Sequence, residues 1–249
     1  MPIRFHDSDD VDARGVRQRR FDVEHAGRVV PGMLWTPEGA SGPRPLVLIG
    51  HGAGLSKTEP YVVALARRFV RHHRYAAAAI DGPAHGDRRR DGGGFEISFA
   101  EFGQAWANDA ALIDEAIADW TATLDALAGL PDVGAGPVGY WGLSMGTILG
   151  LPFVAAEERV VAAVLGLMGR TGPTKQRHAD DAAKLRVPVL FLLQWDDELF
   201  ERARAFELFD DLGSQDKRLH AGPGKHSDVS AAEFEDTERF LAGHLGPVS

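Results

Sequence analysis

Val138-Gly139-Tyr140-Trp141-Gly142-Leu143-Ser144-Met145-Gly146-Thr147-Ile148-Leu149 is the stretch on which the reading of this chain turns. Its first four residues read as the end of a buried strand, and Thr147-Ile148-Leu149 continue as a helix. Between them lies Gly142-Leu143-Ser144-Met145-Gly146, a G-x-S-x-G pattern. A sharp strand-to-helix turn forces the central serine into an exposed, strained position, and small flanking residues let neighbouring backbone pass close by. The competing reading is a serine that caps a helix beside a tight turn. The strand before and the helix after favour a nucleophile, Ser144.

Outward from this turn the pattern is regular. Pro45–Gly50 is a continuous apolar run ending in glycine, as a strand buried on both faces reads. A helical segment follows from about Glu59 to His73, then a strand at Tyr75–Ile80. A long helix is expected from about Asn108 to Leu130, carrying Ile113, Ile117, Trp120, Leu124 and Leu127 at helical spacing. Strands at Val160–Leu167, Pro188–Leu193 and Arg218–Ala221 alternate with helices at His178–Leu185, Glu198–Leu212 and Ala231–Leu245. Alternation of this kind predicts an α/β fold with a mostly parallel central sheet and helices on both faces. Upstream, Phe21–His25 and Val29–Thr36 flank a turn at Ala26-Gly27-Arg28 and predict an antiparallel hairpin at the sheet edge. Neither repeat nor linker interrupts the chain, so residues 1–249 read as one domain. Residues 1–20 are polar and are expected to be partly ordered at best.

Reactive groups in such sheets gather at the carboxyl ends of the strands. There, Gly50-His51-Gly52-Ala53-Gly54 supplies glycines that let main-chain N–H groups approach a developing oxyanion. The expected donors are the amides of Met145 and Ala53, with Gly54 as the alternative to Ala53. His51 reads as a residue that holds the loop. A serine nucleophile needs a base, and the base needs a carboxylate to fix its tautomer. After the strand ending at Leu193 stand two adjacent aspartates, Asp196 and Asp197. Asp197 is favoured because it directly precedes the helix start, and Asp196 stays open. Gly224-Lys225-His226 lies in a loop between the last strand and last helix, where His226 can overhang the strand ends. His220, inside a strand, and His85, ahead of the serine, are its rivals.

With these pieces in place the chain resembles the α/β-hydrolase superfamily over nearly its whole length, and within it the dienelactone hydrolase-like and acetyl-esterase-like branch. The resemblance is carried by Pro31–Pro37, by His51-Gly52-Ala53-Gly54 with Ser56-Lys57, and by Asp81-Gly82-Pro83-Ala84-His85-Gly86. The serine motif and Gly224-Lys225-His226 complete it. It implies the order nucleophile, acid, histidine along the chain, which Ser144, Asp197 and His226 obey. Dienelactone hydrolases use a cysteine nucleophile, whereas this chain has serine and no cysteine, which points to an ordinary ester. Gln194 stands where relatives usually carry glycine.

The reading is therefore a serine carboxylesterase for small to medium esters, working through an acyl-enzyme without metal or organic cofactor. An amidase or peptidase with the same triad, and a non-catalytic binder of the same fold, are the alternatives. Met168–Leu185 is too short for a large lid domain. Phe95, Phe99, Phe102 and Trp106 form a stripe at helical spacing after Asp91-Gly92-Gly93-Gly94. That stripe either packs on the core or makes a small glycine-hinged flap over an apolar acyl pocket, with Phe95, Phe99 and Phe102 as lining. The formal charge of −9 argues against a nucleic-acid partner, and the basic clusters at Arg17–Arg20 and Arg88–Arg90 are local. No apolar run reaches the roughly 18 residues of a membrane span, and the N-terminus lacks the layout of a secretory signal, so a cytoplasmic location is expected.

Overall fold

The computed structural model describes residues 3–89 and 94–248, which form nine strands and seven α-helices. The central strands are short apolar runs: β4 (Leu46–Gly50), β5 (Ala76–Ile80) and β6 (Val138–Gly142) are buried at every position. β7 (Val160–Gly166), β8 (Val189–Gln194) and β9 (Lys217–Gly222) extend the sheet on one side. On the other side lie β1 (Ile3–Val11), β2 (Val16–His25) and β3 (Arg28–Pro37). The order is β1-β2-β3-β5-β4-β6-β7-β8-β9. Neighbours from β5 through β9 are parallel, while β1, β2 and β3 pair antiparallel with one another and β3 with β5.

The helices are α1 (Pro60–His73), α2 (Phe95–Asn108), α3 (Leu112–Ala128), α4 (Met145–Ala156), α5 (Lys175–Ala182), α6 (Arg202–Asp211) and α7 (Ala231–Leu245). Successive strand residues point to opposite faces, so the sheet feeds two cores. Val47, Ile49, Ala77, Ala79 and Trp141 pack with Leu65 and Phe69 of α1 and Leu241 of α7. Leu48, Ala78, Tyr140 and Phe191 pack with Trp120 of α3, Phe153 of α4 and Leu208 of α6. The long helix expected from about Asn108 to Leu130 is α3, and α2 is a separate helix that ends at Asn108, with Asp109 closing it.

One expectation is corrected. The polar residues 1–20 are not a loosely ordered segment: residues 3–11 and 16–20 lie in β1 and β2. An edge strand of an antiparallel sheet needs only one apolar face. Ile3 and Phe5 of the edge strand β1 supply that face beside their partners Val23 and Phe21 of β2, while Val16 is buried on the other face. Charged residues at this edge are paired rather than loose: Arg4 with Asp22 at 2.8 Å, and Arg19 with Asp132. Met1 and Pro2 lie outside the described residues.

Between β7 and β8 the chain carries the two-turn helix α5, and among the described residues no large lid covers the strand ends. No helix among the described residues is long and apolar enough to cross a membrane.

Candidate active site

The turn between β6 and α4 is held in a single shape. Ser144 has φ 57° and ψ −119°, a positive φ that non-glycine residues rarely adopt. Its N–H donates to Gly166 O at 3.0 Å. Thr147 Oγ1 donates to the Gly142 carbonyl at 2.8 Å and accepts from Gly166 N–H at 2.8 Å. Tyr140 donates its hydroxyl to Gly146 O at 2.7 Å. A Cβ on Gly146 would stand 2.7 Å from Gly50 O, and one on Gly142 would stand 2.7 Å from Gly146 O. Both flanking glycines are thus required by close backbone approach between β4, β6 and α4.

Ser144, His226 and Asp197 converge although they are 82 and 29 residues apart in sequence. His226 Nδ1 lies 2.8 Å from Asp197 Oδ2. An ionised carboxylate only accepts, so Nδ1 carries the proton and Nε2 is left as an acceptor. Ser144 Oγ lies 2.9 Å from that Nε2 and donates to it. Asp197 Oδ1 meanwhile accepts the N–H groups of Leu199 (2.8 Å) and Phe200 (2.9 Å). Burial alone would raise this carboxyl, but the His226 ring and these two amides hold it below its ordinary range. The neighbouring Asp196 is exposed, and its N–H donates to Gly224 O at 2.8 Å. His220 pairs with Asp236 on the outside of β9 and does not reach the serine.

The residues after β4 show which amides are available. Gly52 N–H donates to Tyr61 Oη at 2.9 Å, and Gly54 N–H donates to His85 Nε2 at 2.8 Å. Among the described residues, the amides of Ala53 and Met145 meet no acceptor. Gly54, the alternative donor, is therefore engaged, while Ala53 and Met145 are left to face a ligand. Two histidines brace this loop. His51 Nδ1–H donates to Gly52 O and its Nε2 accepts from Gly82 N–H, both at 2.9 Å. His85 Nδ1–H donates to Pro83 O at 2.6 Å, and the two rings meet edge-on at 5.2 Å. Burial, then the neighbouring His85, pushes His51 down to about 4, and burial also lowers His85. Both rings are neutral braces, and His85 is not placed as a base.

Two features were not found by reading the sequence for chemistry. Glu198 Oε2 accepts the backbone N–H of His226 at 2.9 Å, so adjacent acids hold the ring and the main chain of one histidine. Lys57 is buried, and its Nζ donates to Asp81 Oδ2 at 2.6 Å and to Asp87 Oδ2 at 2.7 Å. Asp81 also accepts the N–H of Lys57 (3.0 Å) and of Asp87 (2.8 Å), tying the oxyanion-side loop to the loop after β5. The signals were present in Ser56-Lys57 and in Asp81–Gly86, but pairing them requires knowing that β4 and β5 are neighbours.

A cavity of about 520 Å³ opens over Ser144 and His226, walled by Leu55, Tyr61, Trp141, Leu143, Leu167 and Phe234. The aromatic stripe splits along α2. Phe95 and Phe99 stack at 5.8 Å and line the cavity, half exposed at its mouth. Phe102 is corrected: it is buried, lies 6.3 Å from Trp106 and 5.9 Å from His85, and does not line the cavity. One more turn of helix carries it under the surface into the core. Asp91, Gly92 and Gly93, the expected hinge, lie outside the described residues.

No family model and no curated protein matches the chain. Solved structures do. A cold-adapted esterase from an Arctic intertidal metagenomic library, in its PEG-bound complex, is 38% identical, covering 98% of this chain and 100% of that one, with TM-score 0.87. Acetyl xylan esterase from Paenibacillus sp. R4 is 16% identical over 98% of this chain and 89% of its own, with TM-score 0.76. Dienelactone hydrolase from Anabaena variabilis is 20% identical over 92% and 97%, with TM-score 0.68. The last two are likenesses of fold.

Proposed function

Since the chain belongs to the esterases of the α/β-hydrolase superfamily and is a hydrolase of ester bonds, we propose that it is a serine carboxylesterase acting on small to medium esters through an acyl-enzyme on Ser144. The observation that carries this reading is the continuous relay from Ser144 Oγ through His226 to Asp197, at 2.9 and 2.8 Å.

In the first half-reaction Ser144 Oγ attacks the ester carbonyl carbon as His226 Nε2 takes its proton. The carbonyl π pair moves onto oxygen, where the amides of Ala53 and Met145 stabilise it. Asp197 stabilises the imidazolium and keeps its ring in register. Collapse of the intermediate breaks the bond to the alcohol oxygen, which receives the proton from His226 Nε2. In the second half a water molecule loses a proton to His226 and attacks the acyl carbon. The acid departs and Ser144 Oγ recovers its proton. No metal or organic cofactor enters these steps.

The apolar cavity of about 520 Å³ supports substrates of modest size with an apolar acyl or alcohol part. A panel of p-nitrophenyl esters of rising acyl length, run beside matched p-nitroanilides on wild type and Ser144→Ala, tests the proposal. Ester hydrolysis that disappears in the variant is expected. Anilides cleaved faster than esters would favour an amidase instead, and undiminished hydrolysis by Ser144→Ala would remove the nucleophile.

A further inference from the structure

The geometry points to a binding site for one divalent cation of the zinc type, formed by His72 and His73 at the end of α1 and Glu238 of α7. α1 and α7 lie side by side on the same face of the sheet. Glu238 is buried, yet both oxygens face polar groups. Its Oε1 is 2.7 Å from His72 Nδ1 and 3.0 Å from His73 Nε2, and its Oε2 accepts from Arg68 Nε at 2.5 Å. One ligand atom from each of the three residues thus falls within 4.8 Å of the others. Ligands around a tetrahedral zinc at about 2.0–2.1 Å stand roughly 3.3 Å apart, so each imidazole nitrogen withdraws from Oε1 by tenths of an ångström while the two nitrogens, within 4.8 Å of each other, close by at most about 1.5 Å.

The cluster is built for convergence. The two imidazoles are 6.2 Å apart with planes at 72°, so their nitrogens approach the carboxylate from different directions. His73 is set in place by the rings of Tyr75, at 5.3 Å, and Phe69, at 6.4 Å. His72 is half exposed, leaving a side open for water as the fourth ligand. Arg68 holds Glu238 Oε2 as an outer partner, leaving Oε1 for the ion, as ligating carboxylates are commonly held. Its charge is offset by Glu235, whose Oε1 is 3.7 Å from the guanidinium. Two imidazoles and one carboxylate suit zinc, cobalt or nickel, whereas calcium and magnesium demand oxygen ligands.

The site is separate from the chemistry. His73 lies just ahead of the starting end of β5, whereas Ser144 follows the finishing end of β6, and β5, β4 and β6 run parallel. The cation therefore sits toward the opposite end of the sheet and ties α1 to α7 without touching substrate.

Titration calorimetry of chelator-stripped full-length protein with zinc chloride, beside thermal unfolding and ester hydrolysis, tests the inference. Wild type should bind one equivalent at this site with a rise in Tm. His72→Ala, an exposed change that leaves the core intact, should weaken that binding at least tenfold and remove the rise in Tm. Its zinc-free hydrolysis rate should match wild type. Equal zinc binding by wild type and the His72→Ala/His73→Ala double variant would overturn the site, as would no binding by wild type. An equal rise in Tm with magnesium or calcium would overturn the assignment of cation class.

Discussion

His51 is buried beneath the oxyanion-side loop, 2% exposed, with each ring nitrogen committed to a backbone group. A proton added at Nε2 would face Gly82 N–H and destroy the bond that joins the loop after β4 to the loop after β5. Burial is the main cause of its displacement, from 6.5 in the unfolded chain to about 4 when folded. As pH falls through 6.5 the unfolded chain binds a proton that the folded protein refuses, so stability declines until about pH 4 and no further on this account. A gap of about 2.5 pH units at about 1.4 kcal/mol each gives a loss on the order of 3 kcal/mol. Urea unfolding of wild type and His51→Gln, followed from neutral pH to about pH 4, reads this directly. Glutamine can still accept from Gly82 but does not titrate, so the wild-type curve should fall by on the order of 3 kcal/mol more than the variant's. Carboxylates held low in the fold, such as Asp87 and Glu238, lose their contribution at lower pH and in both proteins alike. Parallel curves, or an NMR titration placing His51 near 6.5, would refute the reasoning.

Asp197→Asn should leave the fold intact and lower kcat by roughly 10³–10⁴-fold by giving His226 the wrong tautomer; steady-state kinetics check it, and a change below tenfold contradicts it. Phe95→Ala and Phe99→Ala should change the acyl-length profile on the p-nitrophenyl panel, because both rings line the cavity mouth. Phe102→Ala should leave that profile alone and cost about 3–5 kcal/mol in urea unfolding, as a buried ring removed from a core does. Lys57→Met leaves Asp81 as a buried carboxylate without its counter-charge, and a loss of about 3–5 kcal/mol is expected. A loss under about 1 kcal/mol by the same assay would show that the backbone amides satisfy Asp81 without the lysine.

The parallel half of the sheet was legible because its strands are buried on both faces and read as unbroken apolar runs, as Leu46–Gly50 and Val138–Gly142 do. β1 and the first half of β2 were not, because β1 is an edge strand with one solvated face and charges such as Arg4, Arg17 and Arg19 make the two read as a polar tail. Ser144 could be located from local pattern, since the elbow's constraints act within five residues. Asp196 and Asp197 could not be separated so cleanly. Both follow the same strand, and only the turn that sends Asp197 Oδ1 to the amides of Leu199 and Phe200 decides which carboxylate faces His226. The same holds for Ala53 against Gly54, a choice made by His85 from 31 residues away. The stripe of Phe95, Phe99 and Phe102 was right in period. Where a helix dips below the surface depends on tertiary packing, which period does not encode.

The account rests on Ser144 as the residue that becomes acylated, and covalent labelling tests this without knowledge of the substrate. A fluorophosphonate probe, followed by tandem mass spectrometry of the digested protein, should place one adduct per chain on Ser144. Its appearance should parallel the loss of ester hydrolysis, and Ser144→Ala should be both unlabelled and inactive. An adduct on another residue that accounts for the lost activity, or a Ser144→Ala protein that hydrolyses esters at the wild-type rate, would contradict it.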